Sequence, residues 1–187
     1  MAELSRILVV AATPRELAPA DGWTALCCGV GPVDAAAATA AAIAAHRPAA
    51  VVHVGIAGAR TLVPLSLVIG TSARFDDLGG PTPWVPHRLT SAPALVAAAQ
   101  RALPGAATGE IATSARVGGT HDAEVEAMEG YAVLRAAALA GVPAVEVRAI
   151  SNRIGEADRA QWRFDEAFAA ITAATPALVR EVAACLP

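Results

Sequence analysis

Apolar positions in this chain fall into short runs separated by Gly, Pro and charged residues. Ile7 to Ala12 is one such run, bounded by Arg6 and by Thr13-Pro14, and it predicts a buried strand. Trp23 to Val30 predicts a second strand, and Gly29-Val30-Gly31-Pro32 then turns the chain. The Ala-rich stretch from Val33 to His46 predicts a helix, with Pro32 in its first turn and Pro48 as its stop. Ala50 to Ile56 and Leu65 to Ala73 predict two more strands. Residues 76–88 hold Gly79, Gly80, Pro81, Pro83 and Pro86, which predicts a long loop of the kind that often carries function. Ser91 to Leu103 predicts a helix with Ser91 as N-cap, and Ala106 to Ala115 predicts a strand. Asp122 to Ala140 predicts a helix ended by Gly141 and Pro143. Ala144 to Ile150 follows as an apolar strand carrying Glu146 and Arg148, then a polar loop over 152–161 and a last helix from Phe164 to Cys185.

Strands alternating with helices predict an α/β domain with a mostly parallel sheet. In open sheets of this kind ligands bind beyond the carboxyl ends of the strands. Attention therefore falls on Thr13 to Glu16, Gly55 to Arg60, Asp76 onward, Thr113 to Thr120 and Ser151 onward.

Composition narrows the chemistry. The 187 residues are 55% hydrophobic and 17% charged, and 49 of them are Ala, so the apolar excess is largely small side chains. No stretch exceeds 13 residues without Asp, Glu or Arg, which predicts no membrane span. All 14 basic residues are Arg; the absence of Lys rules out a lysine Schiff base and a P-loop lysine. Net charge is -3 with no basic run, so nucleic acid is not an expected partner. Three Cys, two of them adjacent, make neither a disulfide framework nor a zinc ribbon, and the amino-terminal residues lack a signal-peptide pattern. A reducing, cytoplasmic setting is expected. The four His show no metal-ligand spacing, so no metal and no cofactor are expected.

Several polar residues admit both a chemical and a plain reading. Gly29-x-Gly31 lacks the third glycine of a dinucleotide fingerprint, since Asp34 stands there, and reads as a tight turn into a helix. Glu16, just after the first strand, could reach a cleft or lie in solvent. Glu129, inside Met128-Glu129-Gly130-Tyr131, is a carboxylate in small and apolar surroundings, costly to bury unless it meets a partner. Glu146 and Arg148 share one strand face and read best as a structural ion pair. Asn152, the sole Asn, follows a strand where ligands bind, or else simply forms a turn.

Taken in order, these segments resemble the purine nucleoside phosphorylase/nucleosidase superfamily. The resemblance rests on Ala12-Thr13-Pro14-Arg15-Glu16, on Gly29-Val30-Gly31-Pro32-Val33-Asp34, on Val52-His53-Val54-Gly55-Ile56-Ala57-Gly58, on Glu126-Ala127-Met128-Glu129-Gly130 and on Arg148-Ala149-Ile150-Ser151-Asn152. It implies one nucleosidase domain over residues 1–187, with a three-layer α/β/α phosphorylase/hydrolase-like fold and a twisted, mixed but mostly parallel central sheet. With only 12 residues between Glu16 and Gly29, the family's first strands are expected in trimmed form.

The resemblance also implies roles. Glu16 orients and deprotonates a water, Glu129 holds the ribose hydroxyls, and Asn152 meets the leaving base. Ile56, Ala57, Gly58, Val117, Met128 and Ser151 line the pocket of a small-molecule nucleoside. Asn at 152, where adenine-releasing members have Asp, suits a 6-oxopurine. Arg153, Arg159 or Arg116, with Trp162 stacking nearby, are candidates to hold a further carboxylate on the substrate. Val52-His53-Val54, just before Gly55, lacks the Arg that related phosphorylases carry there, which favours water over phosphate as nucleophile. An adenine-releasing nucleosidase, a phosphorylase and a non-catalytic nucleoside-binding module stay open, and the resemblance implies a homodimer.

Overall fold

The structure, a computed structural model, describes residues 4–187; the first three residues of the expected domain lie outside it. Among the described residues, eight strands form one mixed sheet. They are β1 (Ile7–Ala11), β2 (Thr24–Cys27), β3 (Ala50–Ala59), β4 (Leu67–Phe75), β5 (Arg88–Thr90), β6 (Ala107–Thr113), β7 (Val125–Ala127) and β8 (Ala144–Arg153). The helices are α1 (Pro32–His46), α2 (Pro93–Ala102), α3 (Gly130–Leu139) and α4 (Phe164–Ala184). Five of the eight strand pairings are parallel.

Alternation along the strands separates two cores. Leu8, Val10 and Val51 face α1 and α3, where they meet Ala35, Ile43, Val133 and Leu134. Ile7, Val9, Val52, Val54, Val145 and Val147 face the other way, onto Leu95 of α2 and Ile171, Leu178 and Val182 of α4. The result is the expected three layers. By length and composition α4 could cross a membrane, yet its apolar side is buried in this core. β3, β8, β4, β6 and β7 also pair in a closed cycle, which the alternating pattern did not reveal. A third apolar cluster fills it, with Ala57, Val68, Ile111, Val125 and Ile150. The trimmed segment after Glu16 still delivers β2, which pairs parallel to β1 as the outer strand.

Three sequence expectations are corrected. The helix expected from Asp122 starts only at Gly130, because Val125–Ala127 pairs with both β3 and β6 and so closes the cycle. Tertiary pairing here overrides the helical preference of an Ala- and Glu-rich stretch. Ser91 does not cap α2: the cap is Ala92, and the Ser91 hydroxyl donates to the Gly70 carbonyl at 2.6 Å. The expected loop over 76–88 ends in β5, a short strand that borders β4.

Leu178 is fully buried between α4 and the sheet. Leu178→Ala is expected to cost about 2–5 kcal/mol, read as a lower urea midpoint at an unchanged slope.

Candidate active site

Close backbone approach builds the site. β3 and β8 run parallel in register, His53 opposite Glu146 and Gly55 opposite Arg148, until the register shifts between Ala57 and Gly58. One extra residue, Ser151, is thereby left unpaired, and Asn152 falls opposite Gly58. The shift re-aims Ser151 and Asn152 toward a cleft of about 440 Å³. Glu16 enters from the short 3-10 turn Pro14–Glu16 after β1, and Glu129 from the residue that precedes α3.

Each buried carboxylate is held by donors. Oε2 of Glu16 accepts from the Thr13 N–H and hydroxyl, both at 2.8 Å, and Oε1 accepts from the Ile56 N–H at 3.1 Å. Oε1 of Glu129 accepts from the Gly31 N–H at 3.0 Å. Gly29 and Gly31 have φ of 85° and 92°, so this turn needs glycine, and it serves a carboxylate rather than a dinucleotide. Asn152 is tied at both ends. Its Nδ2 donates to the Arg153 carbonyl at 3.0 Å, and its Oδ1 accepts from the Ser151 hydroxyl at 2.7 Å. A carbonyl can only accept, so the amide orientation is fixed. One N–H and one lone pair of Asn152 are left for a ligand.

Arg148 is not merely the partner of Glu146. Fully buried, it donates from Nε to Glu146 Oε1 at 2.7 Å, from Nη2 to His53 Nε2 and to Glu129 Oε2 at 3.4 Å, and from Nη1 to the Ile56 carbonyl at 3.3 Å. Nδ1 of His53 donates to the Val10 carbonyl at 3.0 Å, which leaves Nε2 as the acceptor for Arg148. Burial pushes the Glu146 carboxyl above its usual range against the opposing pull of Arg148. Behind the site, burial pushes the Cys28 thiol up to about 12, so it is no nucleophile.

The cleft gathers nearly all the residues singled out in the sequence. Glu16, Ile56, Ala57, Gly58, Val117, Met128, Glu129, Ser151, Asn152, Arg159 and Trp162 line it. Arg153 and Arg116 do not: both are exposed, and Arg153 donates to the Arg60 carbonyl. Phe164 and Phe168 add an aromatic wall beside Trp162, with Trp162–Phe164 centroids 5.3 Å apart and Phe164–Phe168 centroids 6.1 Å apart. Arg159 lies over Trp162 at 5.6 Å. Sequence reasoning missed those two Phe, although their spacing of four on a helix was visible. It also missed the link from Arg148 to Glu129 and His53, which only strand register creates. Glu126 lines the cleft too, but both its oxygens are taken by the 118–120 loop. No group of His, Cys, Asp and Glu suited to a metal ion occurs among the described residues.

Residues 18–186 match the family model described as the phosphorylase superfamily. A futalosine hydrolase of Streptomyces coelicolor is 41% identical over 182 residues, covering 81% of this chain and 76% of the relative. A futalosine hydrolase of Acidothermus cellulolyticus is 49% identical over a shorter stretch of 59 residues, 28% of this chain and 24% of the relative. Among solved structures, a 5'-methylthioadenosine/S-adenosylhomocysteine nucleosidase from Streptococcus pneumoniae superposes with a TM-score of 0.80. It is 20% identical, covering 94% of this chain and 99% of that one, and that likeness is one of fold.

Burial and the adjacent Arg148 charge hold the His53 imidazole well below its ordinary 6.5. The unfolded chain then binds a proton that the folded chain refuses, so stability is lost as pH falls below 6.5. His53→Gln removes that dependence, while the opposite contribution of Glu146 is common to both proteins. Urea titrations down to about pH 5 are expected to show wild type losing stability relative to the variant. Parallel curves would mean that folded His53 takes up the proton.

Proposed function

The chain belongs to the phosphorylase superfamily, and from that premise we propose that it hydrolyses the N-ribosidic bond of futalosine, releasing hypoxanthine, in menaquinone biosynthesis. The observation that carries this reading is the convergence of Glu16, Glu129 and an orientation-locked Asn152 on one cleft. The reaction needs a base for water, an anion beside a ribose that becomes cationic, and a donor toward the departing purine. Glu16 takes a proton from the attacking water. Water oxygen bonds to the anomeric carbon as the carbon–nitrogen bond breaks and its electrons leave with the purine. Glu129 accepts from the ribose hydroxyls and stabilises the developing positive charge. The departing purine takes a proton at N7 from solvent water, and Asn152 donates to O6 while accepting from that N7–H; this polarity favours a 6-oxopurine, because a mismatched buried hydrogen bond is heavily penalised.

The outer cleft suits the rest of such a substrate. The benzoate of futalosine would stack along Trp162, Phe164 and Phe168, with its carboxylate toward Arg159, whose guanidinium pairs with no carboxylate among the described residues. The same reading gives one nucleosidase domain, a homodimer and a cytoplasmic location. The free thiols Cys27, Cys28 and Cys185 suit a reducing compartment. Exposed Val33, Val63 and Trp84 offer apolar surface to a second copy. The fold alone fits an adenine-releasing nucleosidase equally well, and the base released decides between them.

Purified protein in phosphate-free buffer is expected to release hypoxanthine from futalosine and no adenine from methylthioadenosine. Release only when phosphate is added would make it a phosphorylase and remove the role of Glu16. Glu16→Gln and Glu129→Gln are expected to lower kcat by about 10²–10⁴-fold. Arg159→Ala is expected to raise KM for futalosine by about tenfold and to leave KM for inosine unchanged; equal effects on both substrates would place the carboxylate elsewhere.

A further inference from the structure

We propose that Glu146 and His53 are positioning residues that clamp Arg148 so that its guanidinium pairs with Glu129 while Nη1 stays at Gly55, the bare backbone that Glu16 also approaches. The inference rests on the hydrolase reading above and concerns how its two carboxylates are kept in register. Neither Glu146 nor His53 lines the cleft, and both are fully buried behind it. They stand directly opposite each other on β8 and β3, so Arg148, two residues along β8 from Glu146, is gripped on two sides. Glu146 takes Nε and His53 takes one hydrogen of Nη2. The other Nη2 hydrogen goes to Glu129, and Nη1 lies at Gly55.

Two glycines show how tightly the clamp is built. A Cβ on Gly55 would stand 2.2 Å from Arg148 Nη1 and 2.8 Å from Glu16 Oε1, so cation and carboxylate flank the same bare backbone. A Cβ on Gly130, the residue after Glu129, would stand 2.1 Å from Glu146 Oε2. That oxygen is buried and has no hydrogen-bond partner. The other Glu146 oxygen, Oε1, is the one that accepts from Arg148 Nε. Without the grip at Nε and Nη2, the guanidinium would swing into a bidentate pair with Glu129, the strongest geometry available to it. Nη1 would then leave Gly55, and the positive charge would move away from Glu16. Held from behind, Arg148 pairs with Glu129 and keeps its charge at the backbone beside Glu16.

The test is kinetic and spectroscopic. Glu146→Gln and His53→Gln are each expected to lower kcat for futalosine, measured per folded molecule, by about 10- to 100-fold, with KM within about twofold. The double variant is expected to lose far less than the product of the single effects, because both act through one arginine. Wild type is expected to show one exchange-protected, downfield Arg Nε–H resonance that disappears in Glu146→Gln. Should Glu146→Gln fail to fold, His53→Gln carries the kinetic test. The proposal is overturned if kcat per folded molecule stays within twofold in either variant, even with a lowered Tm, since the pair would then be structural only. If wild type releases no base, the hydrolase reading fails, and the Nε–H signal still judges the clamp by its presence in wild type and loss in Glu146→Gln.

Discussion

One buried guanidinium governs the arrangement of this protein. Removing Arg148 from water costs several kcal/mol, and the surrounding chain answers that cost group by group. Glu146, Glu129, the His53 ring and the Ile56 carbonyl all accept from it. Three carboxylates lie near a single cation, because Glu16 reaches the same Gly55 backbone. Such a group of like charges persists only where every member is positioned by covalent and hydrogen-bonded neighbours. The three donors on Glu16 and the Gly31 N–H on Glu129 do that positioning.

The sheet makes the grouping possible. Over 52–55 of β3 and 145–148 of β8, an apolar residue for the α4 side alternates with a polar or small one for the α3 side. Val52, Val54, Val145 and Val147 therefore build the core while His53, Gly55, Glu146 and Arg148 build the support of the site. The register shift at Ala57/Gly58 ends that strict pairing at the cleft and hands Ser151 and Asn152 to it. Closure of five strands into a cycle brings Ala127 beside Thr113, so that Met128 and Glu129 emerge into the same cleft. A core that is largely Ala and Val permits these close approaches, while Trp162, Phe164 and Phe168 line the outer wall of the cleft.

The cleft thus has two characters. Its deep end is a lattice of buried hydrogen bonds with fixed orientation, where an amide locked by Ser151 and Arg153 can discriminate between bases. Its outer end is aromatic with an exposed arginine, a surface that contributes contact area and charge with less geometric demand. Chemistry and base choice belong to the first, and the reach of the substrate to the second.

The sequence by itself determined the alternation of strands and helices, because runs of Val and Ile between Gly and Pro have few alternative structures. The positions of Glu16, Glu129 and Asn152 were legible too, since a polar residue at a strand end or in an apolar run stands out by its local cost. Arg159 and Arg153 could not be told apart by position in one polar loop, and only the turn of the folded chain put Arg159 on the cleft. The strand Val125–Ala127 read as helix, because its partners lie 66 and 68 residues back in β3 and 14 back in β6. Glu146 and Arg148 read as a closed pair for the same reason. Nothing local announces that strand register sets His53 opposite Glu146, or that Gly130 leaves room for a carboxylate beneath Glu129. Local cost is written in the neighbouring residues; partnership across the sheet exists only once long-range pairing has set which residues meet.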